Sequence, residues 1–469
     1  MKNFKISLVM CQMVFVLLMS PLVPSGALAK DYLVKDVKSF NKAVAILKPG
    51  DRLALANKTW LDAKLVFNAK GTAEKPITLM AQDAGKVILT GQSNLRISGE
   101  HLIVSGLTFK DGYSPSNEVI SFRTNSETFA HNTRLVQNVI LNYNKPETTD
   151  KDFWVVMFGK NNQVDHNYFA GKTNSGPTLV VRLSEDESLQ NNHKINHNFF
   201  GYRPNLGRNG GETIRIGTSK TMTEYSNTLI ASNYFEQCNG EAEIISIKSR
   251  GNVIRQNVFL ESQGALTLRQ GGDTIVEYNA FFGNNVRRTG GVRVISDNQT
   301  VRHNYFEGLM GDRNRSALAV MNGVPNSPAH RYNQVLKASI SNNTFVGNKA
   351  LTFGAGANEE LSLPPENSVF SNNLIIANTP NSLVFTAPAN GIAFSNNVME
   401  QPSQSFDKIG GIEYRSNVVM TRTENEILYP EDGAALGLNG IGIKEGISLP
   451  TRGETGPIWY SKPDKVSIN

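Results

Sequence analysis

A short unit, Asn followed by one residue and then Phe or another apolar residue, returns ten times and constrains the fold more than any other feature of the chain. It stands at Asn138-Val-Ile, Asn167-Tyr-Phe, Asn198-Phe-Phe, Asn233-Tyr-Phe, Asn257-Val-Phe, Asn279-Ala-Phe, Asn304-Tyr-Phe, Asn343-Thr-Phe, Asn373-Leu-Ile and Asn397-Val-Met. The intervals between the Asn residues are 29, 31, 35, 24, 22, 25, 39, 30 and 24 residues. Within them, short β-branched runs such as Asn252-Val-Ile-Arg-Gln-Asn-Val-Phe are separated by Gly, Asn and Asp clusters, and no interval carries a helical period. One short repeat per 20 to 40 residues predicts an all-β, single-domain right-handed parallel β-helix, each coil stacking its strands on the coil before. A propeller needs repeats of about 40 to 50 residues with four strands each, longer and more even than these. The Asn is expected in a turn, with the aromatic after it pointing into the core.

Val37 to Leu47, with Phe40, Ala43, Val44 and Leu47 at amphipathic spacing and Pro49-Gly50 as a stop, predicts an N-terminal helix capping the apolar end of the solenoid. Residues 1–29 read as a signal peptide: Lys2 and Lys5, an apolar stretch from Ile6 to Leu18, and Ala27-Leu28-Ala29 as a cleavage site. That stretch is short of the roughly 20 residues of a membrane span. The expected organisation is signal peptide 1–29, β-helix 30–440 and an irregular tail 441–469, in a secreted or periplasmic protein with no membrane partner.

Loss of Lys2 and Lys5 from 47 basic side chains, against 41 acidic ones, lowers the net charge from +6 to +4. This mild excess permits a polyanionic partner, yet there are no Lys/Arg runs of the kind that accompany nucleic-acid binding, so no nucleic-acid partner is expected. Cys11 falls in the signal, so Cys238 is left alone, expected as a buried apolar filler without a disulfide.

Residues one coil apart lie on neighbouring strands about 4.8 Å apart, which makes register a matter of arithmetic. Arg215, Lys248, Arg269 and Arg293 are separated by 33, 21 and 24 residues, close to the local Asn intervals, so they are expected as one column of cations on one side of the solenoid. Such a column is either a set of solvated charges in loose register or a basic groove for an acidic polymer. Glu241 and Glu243, at i and i+2, share a strand face beside Lys248. With Asn209 they offer an all-oxygen set suited to Ca²⁺, the alternative being salt bridges to the arginines.

The segments Asn209-Gly-Gly-Glu-Thr-Ile-Arg-Ile-Gly217, Gly240-Glu-Ala-Glu-Ile-Ile-Ser-Ile-Lys-Ser249 and Gln263-Gly-Ala-Leu-Thr-Leu-Arg269 resemble polysaccharide lyase family six, which contains alginate lyases and chondroitinase B. The resemblance is specific from about 205 to 295. It implies a parallel β-helix and a polysaccharide lyase acting by elimination at uronic acids, usually with Ca²⁺. Lys248 then resembles the family's Brønsted base and Arg269 its proposed acid; Asn209, Glu241 and Glu243 match the metal ligands. Arg215, Arg293 and Tyr332 match residues that hold the sugar. Several family members carry His after the Arg, where this chain has Gln270, which can hydrogen-bond a sugar but cannot titrate. A guanidinium hardly releases a proton, so Arg269 is expected to stabilise the leaving oxygen, with water or Tyr332 as donor.

The expected activity is cleavage of an acidic polysaccharide, alginate foremost. The alternatives are a chondroitin or dermatan sulfate lyase, a non-catalytic glycan-binding β-helix, and a β-helical hydrolase using Glu241 and Glu243. His166, His197 and His303 each precede a repeat Asn and are expected as turn residues. Trp60, Trp154 and Trp459 show no period and are read as core residues or sugar platforms.

Overall fold

The computed structural model describes residues 29–183, 188–377, 382–401, 407–424, 426–438, 440–444 and 446–467; the expected signal peptide, apart from Ala29, lies outside them. Three long parallel sheets run the length of the chain. Fourteen strands form the first sheet, from Asp31–Val34 to Ile392–Ser395, and fourteen the third, from Lys58–Leu61 to Ile412–Arg415. The second sheet has thirteen, from Lys64–Lys70 to Leu383–Phe385. Each coil passes from the first sheet to the third, then the second, and on to the next coil, which is the expected parallel β-helix.

The corner between first and third sheets explains the repeat. The residue before each Asn, from Gln137 through His166, His197 and His303 to Asn396, has a positive φ of 51° to 61°, so those histidines are turn residues. The Asn that follows is fully buried in all ten units. From Asn167 onward its Oδ1 accepts from the backbone N–H and the Nδ2 of the Asn one coil earlier: Asn233 N and Nδ2 both lie 3.0 Å from Asn257 Oδ1. Its own Nδ2 reaches carbonyls of the same turn and of the coil before, as Asn257 does at Arg255 and Ile230. The turn's backbone is thus satisfied inside the core, where an unpaired group costs about 1–3 kcal/mol. Two residues on, Phe169, Phe200, Phe235, Phe259, Phe281, Phe306 and Phe345 stack with centroids 4.5 to 5.3 Å apart.

The predicted cap helix is present but shorter, Val37–Val44 rather than running to Leu47. A capping box of Asp36 and Ser39 starts it, and Phe40 and Ala43 bury its inner face. Beyond Ala45 the chain loosens, though Leu47 still packs on the core. At the other end, residues 440–467 contain no helix or strand among those described and run back along the solenoid. Gly442 N binds Asn342 O, Arg452 Nε binds Glu236 Oε2 at 2.9 Å, and Trp459 Nε1 binds Gln137 O at 3.0 Å. The residues after the repeat Asn, such as Tyr168, Phe199 and Tyr305, face outward and pack against this strap. Trp60 and Trp154 are core residues, and Trp459 belongs to the strap, so none of the three is a platform in the groove. Cys238 is buried and unpaired, and burial pushes its thiol up to about 12.

Candidate active site

The outer face of the second sheet is flanked by loops of uneven length: 201–213, 283–291 and 308–317 enter its strands from the third sheet and 218–228 and 322–338 leave toward the first, whereas 249–252 and 271–274, after the strands that carry Lys248 and Arg269, have four residues each. The long loops on the two sides stand as the walls of a groove over the short ones. In strand Glu243–Lys248, Ile245 and Ile247 join the core, so Ser246 and Lys248 face out. Pairing aligns Arg215 with Ser246, Ser246 with Thr267, and Thr267 with Arg293. Lys248 pairs instead with Gly217 and Gln270.

The expected single column of four cations is therefore corrected to two adjacent columns. Arg215 and Arg293 stand in one, separated by Ser246 and Thr267. Lys248 stands in the other, and a register shift after Ile247 leaves Arg269 beside it without a strict partner. A bulge of this kind re-aims side chains.

Arg269 is held on several sides. Its Nη1 and Nη2 donate to the Arg331 and His330 carbonyls at 2.7 and 3.1 Å, and its guanidinium lies 4.1 Å over the Tyr332 ring. Its Nε is 3.7 Å from Glu243 Oε1, which also lies 3.5 Å from Arg293 Nη2. Arg269 thereby fixes the loop that brings Tyr332 to the groove. The expectation that Gln270 meets the sugar is corrected: it is 1% exposed, and its Nε2 donates to the Ala329 carbonyl of the same loop. Lys248 is half-buried and makes no ion pair or hydrogen bond through its side chain among the described residues.

The opposite wall is acidic. Glu241 accepts from the Gly210 backbone and lies beside Glu212, a residue the sequence reading passed over. Burial, then the charges of Glu212 and Glu243, push the Glu241 carboxyl up to about 8. Glu212 is 4% exposed and its carboxyl meets that of Glu241; its Oε2 is buried with no donor among the described residues, and its Oε1 is 3.7 Å from Arg215. Counting back two residues from the paired Ile214 and Ile245 places Glu212 against Glu243, a signal available in the sequence once that register is known. Gly211 and Gly240 let the two loops touch, since a Cβ on Gly211 would sit 2.4 Å from Gly240 backbone atoms.

Arg203, also passed over, is buried and ties the Asn209 loop down. Its Nη1 donates to Glu212 O at 2.6 Å and its Nη2 to Asn174 O and Gly176 O at 2.9 Å. Asn209 itself is exposed, with no side-chain hydrogen bond among the described residues.

No group of three or more His, Cys, Asp or Glu suited to a metal ion occurs among the described residues. The expected set has two carboxylates and an amide. Its donor chemistry fits a hard cation: the donors are oxygens, both arginine contacts of Glu243 use Oε1, and the crowded acids carry a buried oxygen at Glu212 with no donor among the described residues.

The Chondroitinase B family model matches residues 34–446. Among solved structures, the PL6 family alginate lyase AlyGC is 48% identical, covers 93% of this chain and has a TM-score of 0.89; this chain spans 59% of its length. A mannuronic acid specific polysaccharide family 6 lyase from human gut microbiota is 31% identical over 92% of this chain and 97% of its own, TM-score 0.78. The PL6 family polysaccharide lyase Pedsa3628 from Pseudopedobacter saltans is 26% identical over 92% of this chain and 100% of its own, TM-score 0.74. No curated protein matches by sequence. With its repeat, its groove and these relatives in agreement, the chain belongs to polysaccharide lyase family 6, the family of chondroitinase B and the PL6 alginate lyases.

Proposed function

We propose that this chain is an exported polysaccharide lyase that cleaves a uronate-containing polymer, alginate foremost, by Ca²⁺-assisted β-elimination. The observation that carries this reading is Lys248, with no side-chain ion pair or hydrogen bond among the described residues, facing the groove between the Arg215 and Arg293 column, the bulged Arg269 and the acid wall. Relatives described as alginate lyase and as mannuronic acid specific support alginate. The match to Chondroitinase B keeps dermatan sulfate as the second substrate to test. The reading of residues 1–29 as a signal peptide supports export.

In this mechanism Lys248, as the free amine, takes the C5 proton of a uronate. The C5 electron pair forms the C4–C5 double bond as the C4–O4 bond breaks, leaving a 4,5-unsaturated uronate end. Arg215 and Arg293 hold substrate carboxylates. Arg269 keeps its charge beside the leaving O4 and positions Tyr332, whose hydroxyl or a water supplies the proton. A Ca²⁺ held by Asn209, Glu241 and Glu243 would act as a Lewis acid toward the charge developing on the substrate carboxylate.

The test is ultraviolet absorbance of unsaturated uronate during incubation with alginate and with dermatan sulfate, each with Ca²⁺ or chelator. A rise on alginate abolished by chelator is expected, and Lys248→Ala should lower kcat by roughly 10² to 10⁴ with an unchanged melting temperature. A rise only on dermatan sulfate moves the substrate. Polymer binding with no rise on either replaces the lyase by a glycan-binding protein.

A further inference from the structure

Downstream of Glu241 the acid wall changes sign. The same series of loops, entering the second sheet from the third, forms a cavity of about 410 Å³ edged by Asn285, Arg287, Arg288, Asp312, Arg315 and Lys349. Arg288 lies two coils beyond Glu241 and Arg315 three, about 10 and 14 Å along the axis. Asp312 is the one acid edging the cavity and is already paired with Lys349. Arg287, Arg288 and Arg315 make no ion pair among the described residues.

Arg287 and Arg288 are exposed and could be left to solvent. Arg315 is half-buried with its Nε enclosed and without a hydrogen-bond partner among the described residues; burial, then Arg293 and Arg288, work against its charge, and Glu241 and Asp312 support it less strongly. Like cations gathered around a partly enclosed space lower their mutual repulsion by holding an anion, and guanidinium matches a carboxylate in bidentate geometry. The volume falls in the range of small-ligand sites.

We propose that this cavity is a second carboxylate subsite, which takes a uronate of the same bound polymer two to three coils beyond the acid pair. The proposal rests on the reading of the groove as a uronate-polymer site. It makes recognition extend past the residues that surround the scissile bond, so longer oligomers should gain affinity that short ones do not.

The test uses the full chain carrying Lys248→Ala, so that bound oligomers are not consumed. Affinities of alginate trisaccharide, alginate hexasaccharide and inorganic sulfate are measured by calorimetry, alone and with Arg288→Gln, Arg315→Gln or Arg315→Lys added. Arg288→Gln and Arg315→Gln should each weaken the hexasaccharide about tenfold and the trisaccharide less than twofold, while Arg315→Lys, which keeps the charge and the fold, loses less than Arg315→Gln. Equal changes for both lengths, or none, overturn the proposal. Sulfate binding lost in Arg315→Gln with hexasaccharide binding intact would overturn it too, assigning the cavity to free anions. The lyase reading is judged separately, by product formation in the protein with Lys248 present. If no product forms there while hexasaccharide binding still depends on Arg315, that reading fails and the subsite stands.

Discussion

The Asn corner and the groove face are built on the same coils with opposite solutions to stacking. At the corner one residue type repeats in register from Asn138 to Asn397, because a carboxamide both donates and accepts and so satisfies its own copy one coil away. A guanidinium only donates and carries charge, so a copy one coil away would repel it. On the groove face Arg215 and Arg293 share a column, but Ser246 and Thr267 fill the two coils between them. Lys248 and Arg269 are displaced into the neighbouring column and a bulge. Stacking thus favours self-complementary groups in the core and forces charges apart at the surface, and the spaces between those charges are where a polyanion can lie.

The contrast can be broken hardest at the corner. Asn257→Ala removes the acceptor of the Asn233 N–H and the donor to two carbonyls in a fully buried site, and should destabilise the protein by about 4 kcal/mol in denaturant unfolding. A loss below about 1 kcal/mol would mean that the ladder decorates the core without supporting it.

A second corner, where the second sheet turns into the first, gives a pH test. His193 Nδ1 accepts from Asn162 N at 3.1 Å; burial, with a smaller push from His131, brings its imidazole down to about 3, against an ordinary 6.5. The unfolded chain binds the proton more readily, so this contribution is complete above pH 6.5 and is lost as pH falls toward 3. It should amount to about 2 kcal/mol lost by pH 5. His193→Asn, which keeps an acceptor without a titrating group, should flatten unfolding free energy against pH over that interval.

The smallest effect sharpens the groove side. Thr267→Lys places a cation next to Arg293 in the column, and Thr267→Val fills the same place without charge. The Lys variant should be the less stable by about 1 kcal/mol, with the gap narrowing in high salt. Equal stabilities would show that the interleaving has no electrostatic basis.

Much of this molecule was legible before its structure. The Asn unit predicted the parallel β-helix because each buried turn needs the same hydrogen-bonding group, and Phe40 and Ala43 marked the cap helix. The site was legible in membership more than in arrangement: Lys248, Arg269, Arg215 and Arg293 do share one face, but interval counting put them in one file. Such counting takes the Asn interval as the offset at every sheet, whereas on the second sheet Arg215, Ser246, Thr267 and Arg293 align at offsets of 31, 21 and 26 residues, and the shift after Ile247 displaces Arg269 further. Gln270 was expected to face the sugar because it stands where several members of the family carry His, whereas the loop that covers it comes from 59 residues further along the chain.

The sequence alone determined what repeats, since a stack of coils imposes the same local demand on every turn and the residues record it. Tertiary structure decided what occurs once. It chose which loops meet across the groove, seated Arg269 against Tyr332, gathered Glu212 with Glu241, and brought Arg288 and Arg315 around one cavity. Those contacts join segments whose separation follows no period, and packing in three dimensions sets them.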